Sequence, residues 1–209
     1  MKFSHFIFLC CILISCSCNS SETQSSIKIQ NFEQYETAYF ASGCFWCVEA
    51  IFEHLKGVQE VHSGYSGGEK ENPNYQEVSM GKTKHAEAVI VYYDPNLINF
   101  ETLVKVFFGS HDPTTLNRQG PDYGPQYRSI AFYRNKQEKE IIETFIKQLK
   151  GSKRYLNPII TEIKQFQHFY LAEDYHQDFE ARNPNHSYIR AVSKPRLEKF
   201  IRQFPELLK

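Results

Sequence analysis

The sequence predicts an α+β fold in one domain, and three observations lead there. At 209 residues the chain is long enough for one ordinary core and too short for two unless both are small. "AEAVIVYYDP", from Ala86 to Pro95, is a β-branched and aromatic run stopped by Asp94-Pro95, the pattern of a buried strand. "CFWCVEAIFEHL" instead puts Cys44, Cys47, Val48, Ile51, Phe52 and Leu55 on one stripe of a helix. Strand and helix signals alternate imperfectly, with too few strands for a doubly wound sheet, so the class is α+β.

The elements follow in order. Ala38 to Ala41 is a short apolar strand, broken by Ser42-Gly43 just before the helical stripe that Cys44 opens. Val58 to Tyr65 reads as a second strand running into the glycine-rich "GYSGG". Asn72-Pro73 has the form of a cap followed by proline at the first helical position, which predicts a short helix through Met80. After the strand at Ala86, Asn99 to Gly109 is amphipathic and helical. Ser110 to Gln126 is rich in Gly, Pro, Asp and Asn without periodicity, and loops of that length are disproportionately functional. A strand (Arg128 to Arg134), a helix (Gln137 to Leu149) and a strand (Ile159 to Lys164) come next, then aromatics mixed with short helices to Leu208.

Charge excludes one broad class of partner. With 24 basic and 24 acidic side chains the chain is formally neutral, so it carries no electrostatic footprint for nucleic acid. Lys2 and the apolar run from Phe3 to Ile14 are too short to cross a bilayer comfortably and match the core of a signal peptide. Leu13-Ile14-Ser15-Cys16 resembles a bacterial lipobox, after which Cys16 would become a lipidated N-terminus. Residues 1–15 are therefore expected to be a lipoprotein signal, 16–35 a polar Ser- and Gln-rich tether, and 36–209 the folded domain. That domain is expected to be a monomer outside the cytosol, on the periplasmic side or in the cell envelope of a bacterium, anchored to a membrane by its lipid; an ordinary secretory signal cut nearby is the alternative reading.

Six cysteines sort by this division. Cys10 and Cys11 leave with the signal, Cys16 is the lipid site, Cys18 lies in the tether, and only Cys44 and Cys47 belong to the domain. Two cysteines make no disulfide scaffold, so the pair needs its own explanation. A cysteine in the first turn of a helix meets unpaired N–H groups and the positive end of the helix dipole, which favour the thiolate. At regular helical spacing the two Cβ atoms lie about 5 to 6 Å apart, beyond the roughly 3.5 to 4.5 Å of a disulfide. Oxidation then requires the first turn to tighten or unwind. Three other readings compete on the residues alone: two buried thiols on an apolar stripe, a zinc site with His54 and His62 that lacks a second closely spaced ligand pair, and a thioredoxin-like exchange motif. The last differs in order, because here Phe45 and Trp46 lie between the cysteines.

Gly43-Cys44-Phe45-Trp46 resembles the GCFW signature of the A-type peptide-methionine sulfoxide reductases, in the variant with a cysteine at the next position. "GYSGG" (Gly64 to Gly68), "NPNYQEV" (Asn72 to Val78), "HAEAVIVYYDP" (His85 to Pro95), "HDPTTLNRQGPDYGPQYRS" (His111 to Ser129) and "FYLAEDYHQDF" (Phe169 to Phe179) agree in order. The resemblance implies a two-layer α/β sandwich with a ferredoxin-like core and long irregular loops. It also implies reduction of methionine S-sulfoxide, free or in proteins, without metal or bound organic cofactor. By the same resemblance Cys44 is the nucleophile, Phe45 and Trp46 seat the substrate methyl group, and Glu87 is the general acid. Tyr75 and Tyr127 would hydrogen-bond the sulfoxide oxygen, with Asp122 in support. An acid fits the chemistry, since oxide cannot leave sulfur unprotonated. Glu87 also opens a strand whose same-face neighbours Val89, Val91 and Tyr93 are apolar enough to keep a carboxyl protonated.

The chain departs from the family pattern twice. Cys47 stands where glycine is frequent, and no cysteine follows it towards the C-terminus. Against that pattern Cys47 is left as the thiol that resolves a sulfenic acid on Cys44, and an external thioredoxin-like dithiol must then reduce the disulfide.

Overall fold

The computed structural model describes residues 32–209. The signal run, Cys16 and the tether as far as residue 31 lie outside the described residues. The last tether residues do not: the Phe32 ring stacks on Tyr92 at 4.4 Å between centroids, and the Tyr35 N–H donates to the Phe32 carbonyl. An aromatic side chain finding an aromatic on the sheet outweighs the polar composition around it.

The chain runs β1 (Glu36–Ser42), α1 (Phe45–Glu53), β2 (Val58–Ser66), α2 (Tyr75–Ser79), β3 (Ala86–Tyr93) and α3 (Phe100–Gly109). It continues through β4 (Arg118–Gln119), β5 (Asp122–Tyr123), β6 (Ser129–Tyr133), α4 (Lys136–Gly151), β7 (Glu162–Gln165), β8 (Phe169–Leu171), α5 (Phe179–Arg182) and α6 (Lys194–Gln203). The main sheet has the order β7-β6-β1-β3-β2-β8. Its four central strands, β6-β1-β3-β2, are antiparallel throughout and joined by two βαβ crossovers, β1-α1-β2 and β3-α3-β6. This is the ferredoxin-like core. β7 adds in parallel beside β6, and β8 adds antiparallel beside β2.

The period-2 alternation of β3 divides the core. Val89, Val91 and Tyr93 face the helices with Phe40, Phe52 and Phe107, while Ala86, Ala88 and Ile90 face the other way with Tyr39 and Phe132. Phe40 stacks on Phe52 at 5.2 Å and on Phe107 at 5.0 Å, locking α1 and α3 to the same strand. On the opposite face Tyr39 stacks on Phe166 at 3.7 Å, so side chains from the β7–β8 connection cover the sheet there.

Three expectations are corrected. The short helix starts at Tyr75, because Asn74 and not Asn72 is its cap: the Asn74 side chain accepts the Glu77 N–H. A residue before proline is pushed away from helical backbone, and Asn72 takes a left-handed φ of +47°. The segment from Ser110 to Gln126 is not structureless, since β4 and β5 pair across Gly120, whose φ is +57°. The three-residue β8 escaped the sequence reading, being too short to show an alternation.

Candidate active site

The site forms where β1 ends and α1 begins. Gly43 makes the turn with φ +92°, and a Cβ there would come within 2.6 Å of the Gln119 side chain, so only glycine fits. Cys44 is the N-cap of α1, with non-helical ψ of 122° and a carbonyl that accepts the N–H of Cys47 and of Val48. Because Cys44 stands outside the helical repeat, the regular spacing that argued against easy pairing does not apply. The two thiols hydrogen-bond one another and are not bonded covalently.

Glu87 lies beneath this cap. It is 2% exposed on β3, opposite Tyr65 of β2, and its Oε2 accepts the Phe45 N–H at 3.1 Å. Burial pushes its carboxyl up to about 8, helped by the nearby Asp122 and Cys47 and opposed by the Phe45 N–H. The group is therefore mostly protonated at neutral pH. That amide is one of the orphan donors at the helix N-terminus, and the carboxyl has taken it.

The thiols depart from expectation here. Burial pushes the Cys44 thiol well above its ordinary range, and neighbouring Cys47 and Glu87 add to the shift. Cys47 is instead held down to about 7, first by the hydrogen bond from Cys44, then by the Arg196 guanidinium, Ser193 and Tyr188, against its own burial. The resting pair keeps its proton on Cys44, and the anionic character expected at the helix cap sits one turn along.

Aromatic side chains wall the cap on one side. Phe45 is buried, stacks on Tyr75 at 6.5 Å and tilts against Tyr65 at 6.0 Å. Trp46 is half-buried, stacks on Phe179 at 3.7 Å and 9°, and its Nε1–H donates to His176 Nδ1 at 3.2 Å. Burial holds His176 down to about 4, so it is neutral and able to accept that proton. Its ring fills the space between Phe45 (4.9 Å) and Tyr75 (4.4 Å).

Tyr75 is brought in by Glu173, whose carboxylate accepts the Tyr75 N–H at 2.9 Å and the Tyr65 hydroxyl at 2.7 Å. Tyr127 closes a 3-10 turn, Pro125–Tyr127, that follows β5. Burial raises both phenols, Tyr75 to about 12, with Glu87 as a second cause, so both remain hydrogen-bond donors at neutral pH. Asp122 sits on β5, and its Oδ2 accepts the Tyr188 hydroxyl at 2.6 Å; burial raises this carboxyl as well. The same Tyr188 hydroxyl lies 3.9 Å from Cys47 Sγ.

All eight residues expected in the domain site thus converge on one end of α1: Cys44, Cys47, Phe45, Trp46, Glu87, Tyr75, Tyr127 and Asp122. Sequence reasoning missed Tyr188, His176, Glu173 and Arg196. Glu173 and His176 stand inside a motif already singled out, "FYLAEDYHQDF", whereas nothing in the polar run around Tyr188 marked it. Arg196 reaches from α6 to donate to the carbonyls of Ser110 and Ser42, tying α6 to the end of β1.

A pair of buried thiols at a helix cap, a protonated carboxyl beneath them and an aromatic wall beside them define a cysteine-dependent oxidoreductase on a ferredoxin-like sheet. The comparisons give the family. The model of the peptide methionine sulfoxide reductases matches residues 36–207. The chain is 52% identical over 183 residues, 88% of its length and 94% of the other, to the peptide methionine sulfoxide reductase MsrA 1 of Rhodopirellula baltica. It is 48% identical to MsrA of Natronomonas pharaonis, covering 81% of this chain and 96% of that one. Among solved structures, Mxr1 from Saccharomyces cerevisiae in reduced form superposes with a TM-score of 0.68 at 32% identity, covering 78% of this chain and 92% of that one. Methionine sulfoxide reductase A of Corynebacterium diphtheriae gives 0.67 at 36%, covering 73% and 77%. The chain belongs to the peptide methionine sulfoxide reductase family, and its activity is thiol-dependent reduction of methionine sulfoxide.

Proposed function

We propose that the chain reduces the S epimer of methionine sulfoxide, free or in proteins, with Cys44 as nucleophile and Cys47 as resolving thiol. One observation supports this most directly: a buried, protonated Glu87 hydrogen-bonded to the N–H of the residue after Cys44. Phe45 and Trp46 receive the methyl group, and the Tyr75 and Tyr127 hydroxyls bind the sulfoxide oxygen. Cys44 Sγ attacks the sulfoxide sulfur while Glu87 protonates its oxygen, and the Cys44 proton restores the carboxyl. Oxygen ends on Cys44 as a sulfenic acid, and methionine leaves as the thioether. Cys47 Sγ then attacks the Cys44 sulfur and releases water, leaving a Cys44–Cys47 disulfide. Two electrons from an external dithiol, a thioredoxin or a protein like it, reopen the pair.

The chemistry needs no metal or organic cofactor for its electrons. Lipidation at Cys16 would anchor the domain to a bacterial membrane outside the cytosol, and the mass of the mature N-terminus from membranes tests that separately. Incubating the purified chain with each sulfoxide epimer and dithiothreitol tests the activity. Methionine from the S epimer alone is the expected result. Insulin reduction without methionine would make the protein a general thiol–disulfide exchanger.

A further inference from the structure

Four carboxyl groups meet where the body of α1 packs against β2 and the start of α5. Glu53 on α1, Glu60 on β2 and Asp178, the residue before α5, each place one carboxyl oxygen within 4.8 Å of the other two. Glu49 stands one turn before Glu53 on the same face of α1. It is 2% exposed, its Oε1 has no hydrogen-bond partner among the described residues, and its carboxyl takes the Asp178 backbone N–H. The Ser63 hydroxyl on β2 lies beside it, is buried and likewise lacks a partner within hydrogen-bond distance. The charges that Glu49 meets are the Glu53 and Asp178 carboxylates, so its unpartnered oxygen forms a buried floor to the cluster. Glu53 and Glu60 are half-buried and Asp178 is exposed, which leaves the cluster open to solvent above that floor.

Four acids so placed call for positive charge, and the fold supplies little of it. Lys209 faces Glu53 and Glu60, and His62 faces Glu60, but none of the four acids has an ion pair among the described residues. We propose that Glu49, Glu53, Glu60 and Asp178 bind a calcium ion, which ties α1 to β2 and to the residue that starts α5. The donors are carboxyl oxygens, with no nitrogen or sulfur among them, and that is the set hard divalent cations take. Calcium holds its oxygens at about 2.3 to 2.6 Å, so oxygens on opposite sides of it stand about 5 Å apart. The three clustered oxygens lie inside that span. Magnesium draws opposite oxygens to about 4 Å, insists on an octahedron and gives up its water reluctantly. The open rim leaves room for water to complete the larger ion's shell. Without the ion, protons take its place: burial and mutual repulsion push Glu49 up to about 9 and Glu53 up to about 8.

The test uses the full chain, stripped with a chelator and desalted, with calcium chloride alone as the probe. Isothermal titration calorimetry at neutral pH should give one ion per chain with a Kd of about 10⁻³ M or tighter. Calcium at about 10 mM should then raise Tm by about 3 °C or more against sodium chloride of equal ionic strength. Magnesium should raise it much less. Glu53→Gln/Glu60→Gln removes two charges at nearly constant shape and should abolish both signals. Asp178→Asn keeps a residue that tolerates the left-handed φ of +53° and should weaken binding about 10-fold or more. Both variants also lose mutual repulsion, so each should melt at or above the parent's Tm in chelator, which separates loss of the site from loss of the fold. No binding heat and an unchanged Tm in the parent overturn the proposal. So does a rise of equal size in Glu53→Gln/Glu60→Gln, which would be a general salt effect. An equal or larger rise with magnesium overturns the choice of calcium.

Discussion

The two ends of α1 hold buried acids in outwardly similar states and differ in what those acids can reach. At the N-terminal end Glu87 is 2% exposed and pushed up to about 8 by burial. Further along, Glu49 is also 2% exposed and is pushed up to about 9, by burial first and then by Glu53 and Asp178. Glu53 is itself raised to about 8, and it lies in a cluster with Glu60 and Asp178 in which one carboxyl oxygen from each is within 4.8 Å of the other two. Only Glu87 stands beside a thiol, an orphan helix N–H and hydroxyl donors. A raised carboxyl is thus a statement about burial, and it becomes a statement about chemistry only where a reacting atom can be placed next to it.

The largest expected effects fall on the cysteines, which divide the N-terminal end itself. Cys44→Ser should release no methionine even in a single turnover. Cys47→Ser should release about one methionine per enzyme and then stop with thioredoxin as the only reductant; quantifying methionine against enzyme checks both, and sustained turnover would remove the resolving role.

Glu87→Gln comes next, with the methionine-forming step slowed by about 100-fold or more while both thiols still titrate. The parent's pH profile should show the same group. Its acid form is lost as pH rises through about 8, so the single-turnover rate falls there, and the fall should vanish in the variant.

Tyr188→Phe sharpens the contrast within the pair. It strips a hydrogen bond from Asp122 and one that holds the Cys47 thiol down, so stability should drop by about 1 to 2 kcal/mol, and the Cys47 titration should move up. Urea unfolding and thiol alkylation against pH measure the two.

The smallest effect on catalysis belongs further along the helix, at Glu49. Between about 4.5 and 9 the folded protein holds a proton on Glu49 that the unfolded chain releases, so stability falls as pH rises through that window. Glu49→Gln should therefore lose less Tm between pH 6 and 9 than the parent, with methionine formation unaltered. A catalytic defect in that variant would break the distinction between the two ends.

Much of this site was legible in the chain because its parts sit at element boundaries that short-range chemistry dictates. Gly43 before Cys44 makes the turn, the apolar stripe from Cys44 to Leu55 buries α1, and the Ala86–Tyr93 run becomes the central strand that carries Glu87. The misses have physical causes. The cap at Asn74 was displaced because two asparagines compete and the helix takes the one with Glu77 three residues on. Tyr188 lies 66 residues from Asp122 and 141 from Cys47, a separation at which no local pattern reports a contact.

What the sequence determined by itself was the set of reactive groups and the local frames holding them: a cysteine at a helix cap, a carboxyl on a buried strand, aromatics between two thiols. Those follow from periodicity, turn geometry and burial, which are local or nearly so. Only the tertiary structure decided which thiol keeps the proton. Glu87 comes from β3 to occupy the Phe45 N–H, Arg196 comes from α6 and Tyr188 from the turn before it, and together they place the burial cost on Cys44 and the favourable charge and hydrogen bonds on Cys47. Electrostatics in a buried site is set by whatever the fold brings within a few ångströms, and that neighbourhood is assembled from segments far apart in the chain.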